Sequence, residues 1–111
     1  MKKSLTLAVA LLAVAPFAVS AQDVPEKAAA CAACHGEGGA KPIMDAYPVL
    51  AGQYANYLQH ALQEYRSGAR KNGIMAAQAA SLSDADIKTL AKYFEAQKGP
   101  LYTPKYTVPG K

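Results

Sequence analysis

Residues 31–35 read Cys31-Ala32-Ala33-Cys34-His35, two cysteines three positions apart with a histidine directly after the second. Residues three apart share one face of a helix, so both thiols point to the same side and the imidazole comes next along the chain. A thioredoxin-type dithiol needs a βαβ setting, and no strand pattern flanks this one. A structural zinc site needs four ligands, and His60 is the only further Cys or His in the chain that can supply the fourth. A disulfide between Cys31 and Cys34 leaves His35 without a role. C-x-x-C-H is, by contrast, the attachment signature of a c-type haem. Each thiol adds to a vinyl group of the porphyrin, and the histidine is placed below the iron as an axial ligand. The pentapeptide is therefore read as the site of one covalently bound haem c, held by Cys31 and Cys34, with His35 on the iron.

Upstream of this site, residues 1–21 carry a positive start at Lys2 and Lys3, then an apolar run from Leu5 to Val19 broken only by Thr6. Val19-Ser20-Ala21 supplies the small residues at which a signal peptidase cuts. The run is shorter than the ~20 residues a helix needs to cross a bilayer. The segment reads as an export signal of the Sec type, which implies a periplasmic protein with no stable membrane insertion after cleavage. The expected mature chain, Gln22 to Lys111, has 90 residues.

The full chain of 111 residues is 51% hydrophobic, with 12 Lys and Arg against 8 Asp and Glu. Removing Lys2 and Lys3 leaves ten basic against eight acidic residues, a net +2, and these are scattered. A nucleic-acid binder concentrates its basic residues on one face, so that partner is excluded. Two cysteines cannot build a disulfide scaffold either. Much of the apolar count is alanine, and a domain this small needs an internal staple. A covalently attached macrocycle supplies one.

Helical signals frame the motif. Asp23 is read as a cap, with Glu26 three residues on and Pro25 in the first turn of a helix running to His35, where Gly36 stops it. Gly36–Gly52, with four glycines and two prolines, is a wrapped loop. From Gln53 to Arg66, Tyr54, Tyr57, Leu58, Ala61, Leu62 and Tyr65 form one helical stripe. Residues 67–82 read as a loop with a short helical turn over Ala76–Ala80. Ser83 caps a last helix whose stripe is Ile87, Leu90, Ala91 and Phe94, closed by Gly99-Pro100. No segment alternates with period two, so the fold class is all-α. The small side chains of Ala28–Ala30 predict close packing of the first helix against Tyr93 or Phe94 of the last. The organisation is a signal over 1–21, one domain over 22–98, and a tail over 99–111. Pro100, Pro104 and Pro109 keep that tail extended, and Leu101, Tyr102, Tyr106 and Val108 favour its lying against the domain or a partner.

CAACHG, YPVLAGQYANYLQHAL, RSGARKNGIM and LSDADIKTLAKYF together resemble a class I cytochrome c, of the small bacterial type that also forms the domains of dihaem cytochromes. The resemblance covers Val24 to Gln97, and a single C-x-x-C-H means one haem. It implies three main helices and loops around the haem, His and Met as axial ligands, and single-electron transfer. Of the candidates for the second ligand, Met44 lies only nine residues beyond His35, and His60 sits on the polar side of its helix. Met75, in a glycine-bearing loop able to bend over the ring, is the position the resemblance selects. Pro48 is a candidate carbonyl partner for the His35 Nδ1–H, the contact that orients an axial histidine. Tyr54, Tyr57, Arg66, Arg70 and Asn72 are candidates to reach the haem propionates or to brace the Met75 loop. Lys88 and Lys92 read as a solvated face.

With both axial positions filled, substrate cannot bind the iron, so the expected function is electron carriage rather than enzymatic turnover. Redox partners are expected to dock weakly and transiently at the haem edge. The alternatives are a haem c subunit of a larger dehydrogenase or oxidase, and a ligand-binding sensor or peroxidase.

Overall fold

The computed structural model describes residues 24–107 and the isolated positions 2, 10, 11 and 109. The segment read as an export signal, apart from three isolated positions, and the Asp23 cap lie outside the described residues. Four α-helices follow in order, α1 Ala28–His35, α2 Ala55–Ser67, α3 Gly73–Ala79 and α4 Asp84–Ala96, with a single 3₁₀ turn at Glu37–Gly39 after α1. Among the described residues there is no strand.

The first helix begins later than the Asp23-to-His35 reading predicts. The carbonyls of Pro25 and Glu26 accept the amides of Ala28 and Ala29 in three-residue turns, and Lys27 occupies the N-cap without a side-chain cap. Pro25 therefore sits in the lead-in and not in the first helical turn. Gly36 ends α1 at φ 84°. A Cβ there would lie 2.1 Å from the Lys41 carbonyl oxygen, so only glycine lets the chain fold back.

The loop over 67–82 holds more helix than expected. α3 starts at Gly73, three residues before the predicted turn at Ala76, because the Asn72 side chain accepts the amides of Ile74 and Met75 at 3.1 and 3.0 Å. At the next N-terminus Ser83 caps α4 as predicted, in a reciprocal box with Asp86. α4 ends at Ala96, three residues before Gly99.

Among the described residues nine hydrophobic ones are buried, and five of them are alanine: Ala28, Ala51, Ala61, Ala79 and Ala91. Of the large side chains described, only Ile87 and Leu90 are wholly removed from solvent. Ala28 of α1 joins Leu58, Leu90, Ala91 and Phe94 in one cluster, with Tyr93 packed against it, so the first and last helices meet through a small residue as the alanine run predicts. The polypeptide alone builds a thin core.

Beyond α4, residues 101–107 carry no helix or strand and are held by polar groups. The Thr103 hydroxyl donates to the Gly52 carbonyl, the Tyr54 hydroxyl donates to the Pro104 carbonyl, and Lys105 pairs with Glu95 at 2.7 Å. Tyr102 and Tyr106 remain 85% and 82% exposed.

A second tie joins the two ends of the domain: Lys27 Nζ lies 2.5 Å from Asp86 Oδ2. The lysine ammonium, then the Ser83 amide and hydroxyl, hold the Asp86 carboxyl at about 2, below its ordinary value. A depressed carboxyl pKa stabilises the fold above the unfolded value and stops doing so as pH falls toward the folded one. Asp86→Asn is therefore expected to lower the melting temperature at pH 7. The gap to wild type should close as pH falls from about 4 toward 2, and melts at pH 7, 4 and 2.5 will show whether it does.

Candidate functional site

The apolar stripe of α2 is not covered by protein alone. Leu58, Ala61, Leu62 and Tyr65 line a cavity of about 340 Å³ whose wall also includes Leu90, Ala91 and Phe94 of α4. An amphipathic face normally buries itself wholly against a neighbour. Here the two faces touch and also border open space.

Four side chains singled out in the sequence meet on this wall: Cys31, Cys34, His35 and Met75 all border the cavity. The two cysteines are free thiols. Cys31 is partly buried, its thiol donates to the Lys27 carbonyl at 3.7 Å, and burial pushes its pKa up. His35 is only 6% exposed, the one buried polar residue among those described. Its Nδ1 lies 2.7 Å from the Pro48 carbonyl oxygen, which can only accept, so Nδ1 carries the proton of this hydrogen bond. No described side-chain nitrogen is fully buried without a partner. Nε2 therefore reaches open space, and the space that His35 borders is the cavity.

Met75 stands in the first turn of α3, not on a flexible loop, and its backbone is fixed by Asn72. Met44 is 52% exposed and away from the cavity. His60 points to solvent and pairs with Glu64 at 3.2 Å. Of the three candidates opposite His35, only Met75 lines the cavity.

The supporting residues divide. Tyr57, Arg70 and Asn72 line the cavity, whereas Tyr54 and Arg66 do not. Tyr54 begins α2 with its hydroxyl turned to Pro104. Arg66 donates to the Leu82 carbonyl at 3.0 Å and pairs with Asp84 at 2.6 Å, so it braces the connection between α3 and α4.

Arg70 is the cation on the cavity wall. It donates to the Tyr57 hydroxyl at 3.4 Å, lies over the rings of Tyr57 and Tyr65 at 5.7 and 5.4 Å, and pairs with Glu64 at 3.0 Å. These contacts, Tyr57 first, hold its charge more firmly than usual. Sequence reading missed Glu64 and Tyr47, whose ring centroid is 6.1 Å from that of His35. The only signal for Glu64 was its place four residues after His60. Tyr47 had none.

The residues fit a haem. An apolar cavity has two free thiols and an imidazole nitrogen on one part of its wall, a thioether on another, and a guanidinium where a carboxylate could be met.

Comparison with known proteins agrees. The model of the family described as cytochrome c matches residues 26–98. Cytochrome c-553 of Helicobacter pylori is 41% identical over 96 residues, which is 86% of this chain and 99% of that protein. A thiosulfate dehydrogenase electron acceptor of Thiomonas intermedia is 42% identical over 74 residues, 67% of this chain and 34% of that one. The crystal structure of reduced cytochrome c4 from Pseudomonas stutzeri superposes with a TM-score of 0.58 at 36% identity, covering 61% of this chain and 38% of that one.

Two outcomes test the site. With Cys31 and Cys34 both replaced by Ala, the chain should lose most of its helical circular dichroism, because its own core is too thin; a normally helical product without haem would contradict this. Asn72→Ala removes the cap from the turn that carries Met75 and should cost about 1 kcal/mol in a denaturant titration.

Proposed function

The chain belongs to the cytochrome c family, and from that premise we propose that it carries single electrons between periplasmic redox proteins through one haem c. Cys31 and Cys34 hold the haem covalently, and His35 and Met75 are the axial ligands. The observation that carries this reading is the meeting of these four side chains on one apolar cavity, with Nδ1 of His35 already engaged.

When bound, the haem supplies a one-electron iron couple, and the protein supplies its binding, orientation and surroundings. His35 offers Nε2 while its Nδ1–H donates to the Pro48 carbonyl, which fixes the ring and raises its basicity. Met75 offers a soft thioether from a helical turn, and such a ligand favours the ferrous state relative to a second histidine. Leu58, Leu90 and Phe94 exclude water, which disfavours the more highly charged oxidised centre. With both axial positions filled, no substrate reaches the metal, and the chain passes electrons without transforming a molecule.

The positive start and apolar run at residues 1–21 support export to the periplasm. No described helix is long and apolar enough to cross a membrane. One relative's name supports a second reading. This chain spans about a third of the thiosulfate dehydrogenase electron acceptor, so the same domain occurs within a longer electron-accepting chain. Size exclusion of native extract separates a free carrier, eluting near its own mass, from a subunit of a larger complex.

Met75→Ala should open the sixth coordination position, lower the midpoint potential and let the ferrous protein bind carbon monoxide. Met44→Leu should do none of these. The weak long-wavelength sulfur-to-iron band of the oxidised protein is decisive. Its survival in Met75→Ala and loss in Met44→Leu would transfer the role to Met44, and carbon monoxide binding by the wild type would remove the carrier reading.

A further inference from the structure

The segment that holds His35 is itself held from a part of the chain outside the family match. Pro48, whose carbonyl accepts the hydrogen bond from His35 Nδ1–H, leads into residues 50–53, and these are fixed at both sides. The Gly39 carbonyl accepts the amides of Leu50 and Ala51 at 2.8 and 3.1 Å, and the Gly52 amide donates to the Phe94 carbonyl at 2.9 Å. The contacts leave no slack: a Cβ on Gly39 would lie 2.7 Å from Leu50 Cβ and 2.9 Å from Phe94 Cδ1.

The outer face of this segment is closed by residues 101–105. Thr103 donates to the Gly52 carbonyl, the Pro104 carbonyl accepts from Tyr54, and Lys105 reaches Glu95 on α4 while its ammonium lies 5.9 Å from the Tyr54 ring. The cytochrome c match ends at residue 98. The strap thus lies beyond the residues that the family model matches and is anchored to the segment that leads directly from Pro48.

We propose that Thr103, Pro104 and Lys105 are positioning residues for the axial histidine: the strap holds residues 50–54 in place, and through them keeps the Pro48 carbonyl on His35 Nδ1. This rests on the axial role given to His35 above. Donation from Nδ1–H to a carbonyl makes the imidazole more electron-rich and stabilises the oxidised metal. A strap that keeps this hydrogen bond short therefore keeps the midpoint potential low. A merely structural strap would alter stability and leave the potential where it is.

The test uses the holoprotein in three forms: truncation after Pro100, Tyr54→Phe with Thr103→Val, and Tyr102→Ser with Tyr106→Ser as the control, since those tyrosines face solvent. Amide hydrogen exchange at Leu50, Ala51 and Gly52 is measured beside the midpoint potential and the proton resonance of the His35 Nδ1–H. Truncation should speed exchange at those amides by about tenfold or more, move the Nδ1–H resonance and raise the potential. The double variant should do the same to a smaller extent, and the control should match wild type. The point variants keep the chain whole, so they answer even if the truncated protein fails to fold. Faster exchange with an unmoved potential overturns the proposal, as does a lowered potential, which would report water entering the cavity. A wild type without a histidine–methionine spectrum overturns the parent reading and this one together. Failure confined to the strap variants overturns this one alone.

Discussion

An apolar surface that the polypeptide cannot cover by itself governs everything else in this domain. α2 and α4 each carry a regular stripe, and in a self-sufficient helical protein the two would close on one another. They meet in a cluster that includes Leu58, Leu90, Ala91 and Phe94, and the same residues border the cavity. Alanines are five of the nine buried hydrophobic residues among those described, and an alanine removes little area from water. A flat apolar group in the cavity covers both stripes at once. Covalent attachment suits this arrangement, because a tethered group binds at the effective concentration of an intramolecular event. A core that depends on its cofactor cannot release it without losing its fold.

The second constraint is orientational. A histidine on α1 must present one nitrogen to the cavity and give the other a partner, and that partner lies thirteen residues downstream. Backbone bonds satisfy the geometry: the 3₁₀ turn at Glu37–Gly39 receives Leu50 and Ala51, and the C-terminal end of α4 receives Gly52. Three stretches of sequence, around positions 36–39, 48–54 and 94–97, converge on one frame behind the imidazole. Glycine at 36 and 39 is required because neighbouring backbone and side-chain atoms occupy the space a side chain would need. The site is accurate because its frame is mostly main chain, which has fewer alternative conformations than side chains do.

Much of this was legible in the sequence, for reasons that differ by element. The attachment helix, α2 and α4 announce themselves by local chemistry: a motif with fixed spacing, a six-residue stripe, and a capping serine at Ser83. The Pro48 partner was legible because the demand for it is chemical and few carbonyls lie within reach. α3 was read short because Asn72 and Gly73 look like loop residues, and only the Asn72 side chain turned back on Ile74 and Met75 reveals the cap. Tyr54 and Tyr57 sit on one stripe and periodicity treats them alike, yet Tyr57 borders the cavity and Tyr54 anchors the strap. Their difference depends on residues 103–105, about fifty positions away, which no local pattern encodes. The apolar residues Leu101, Tyr102, Tyr106 and Val108 favour a tail lying against the domain or a partner, whereas the ties seen are a hydroxyl, a carbonyl and an ammonium.

The placement of Met75 on a helix changes how the site should behave. A thioether on a long loop would need the loop ordered around it, at a conformational cost for every residue fixed. On α3 that cost is already met by helical hydrogen bonds and by the Asn72 cap on the Met75 amide itself. Arg66 binds Leu82 and Asp84, so side chains hold the start of α3 and the connection that follows it. Sites carried on regular elements hold their geometry more closely than sites on loops. Under the proposed ligation both axial groups rise from helices, one tied by its ring to Pro48 and the other by its backbone to Asn72. Anchoring both residues in this way would limit the rearrangement of the protein when the charge on a bound haem iron changes.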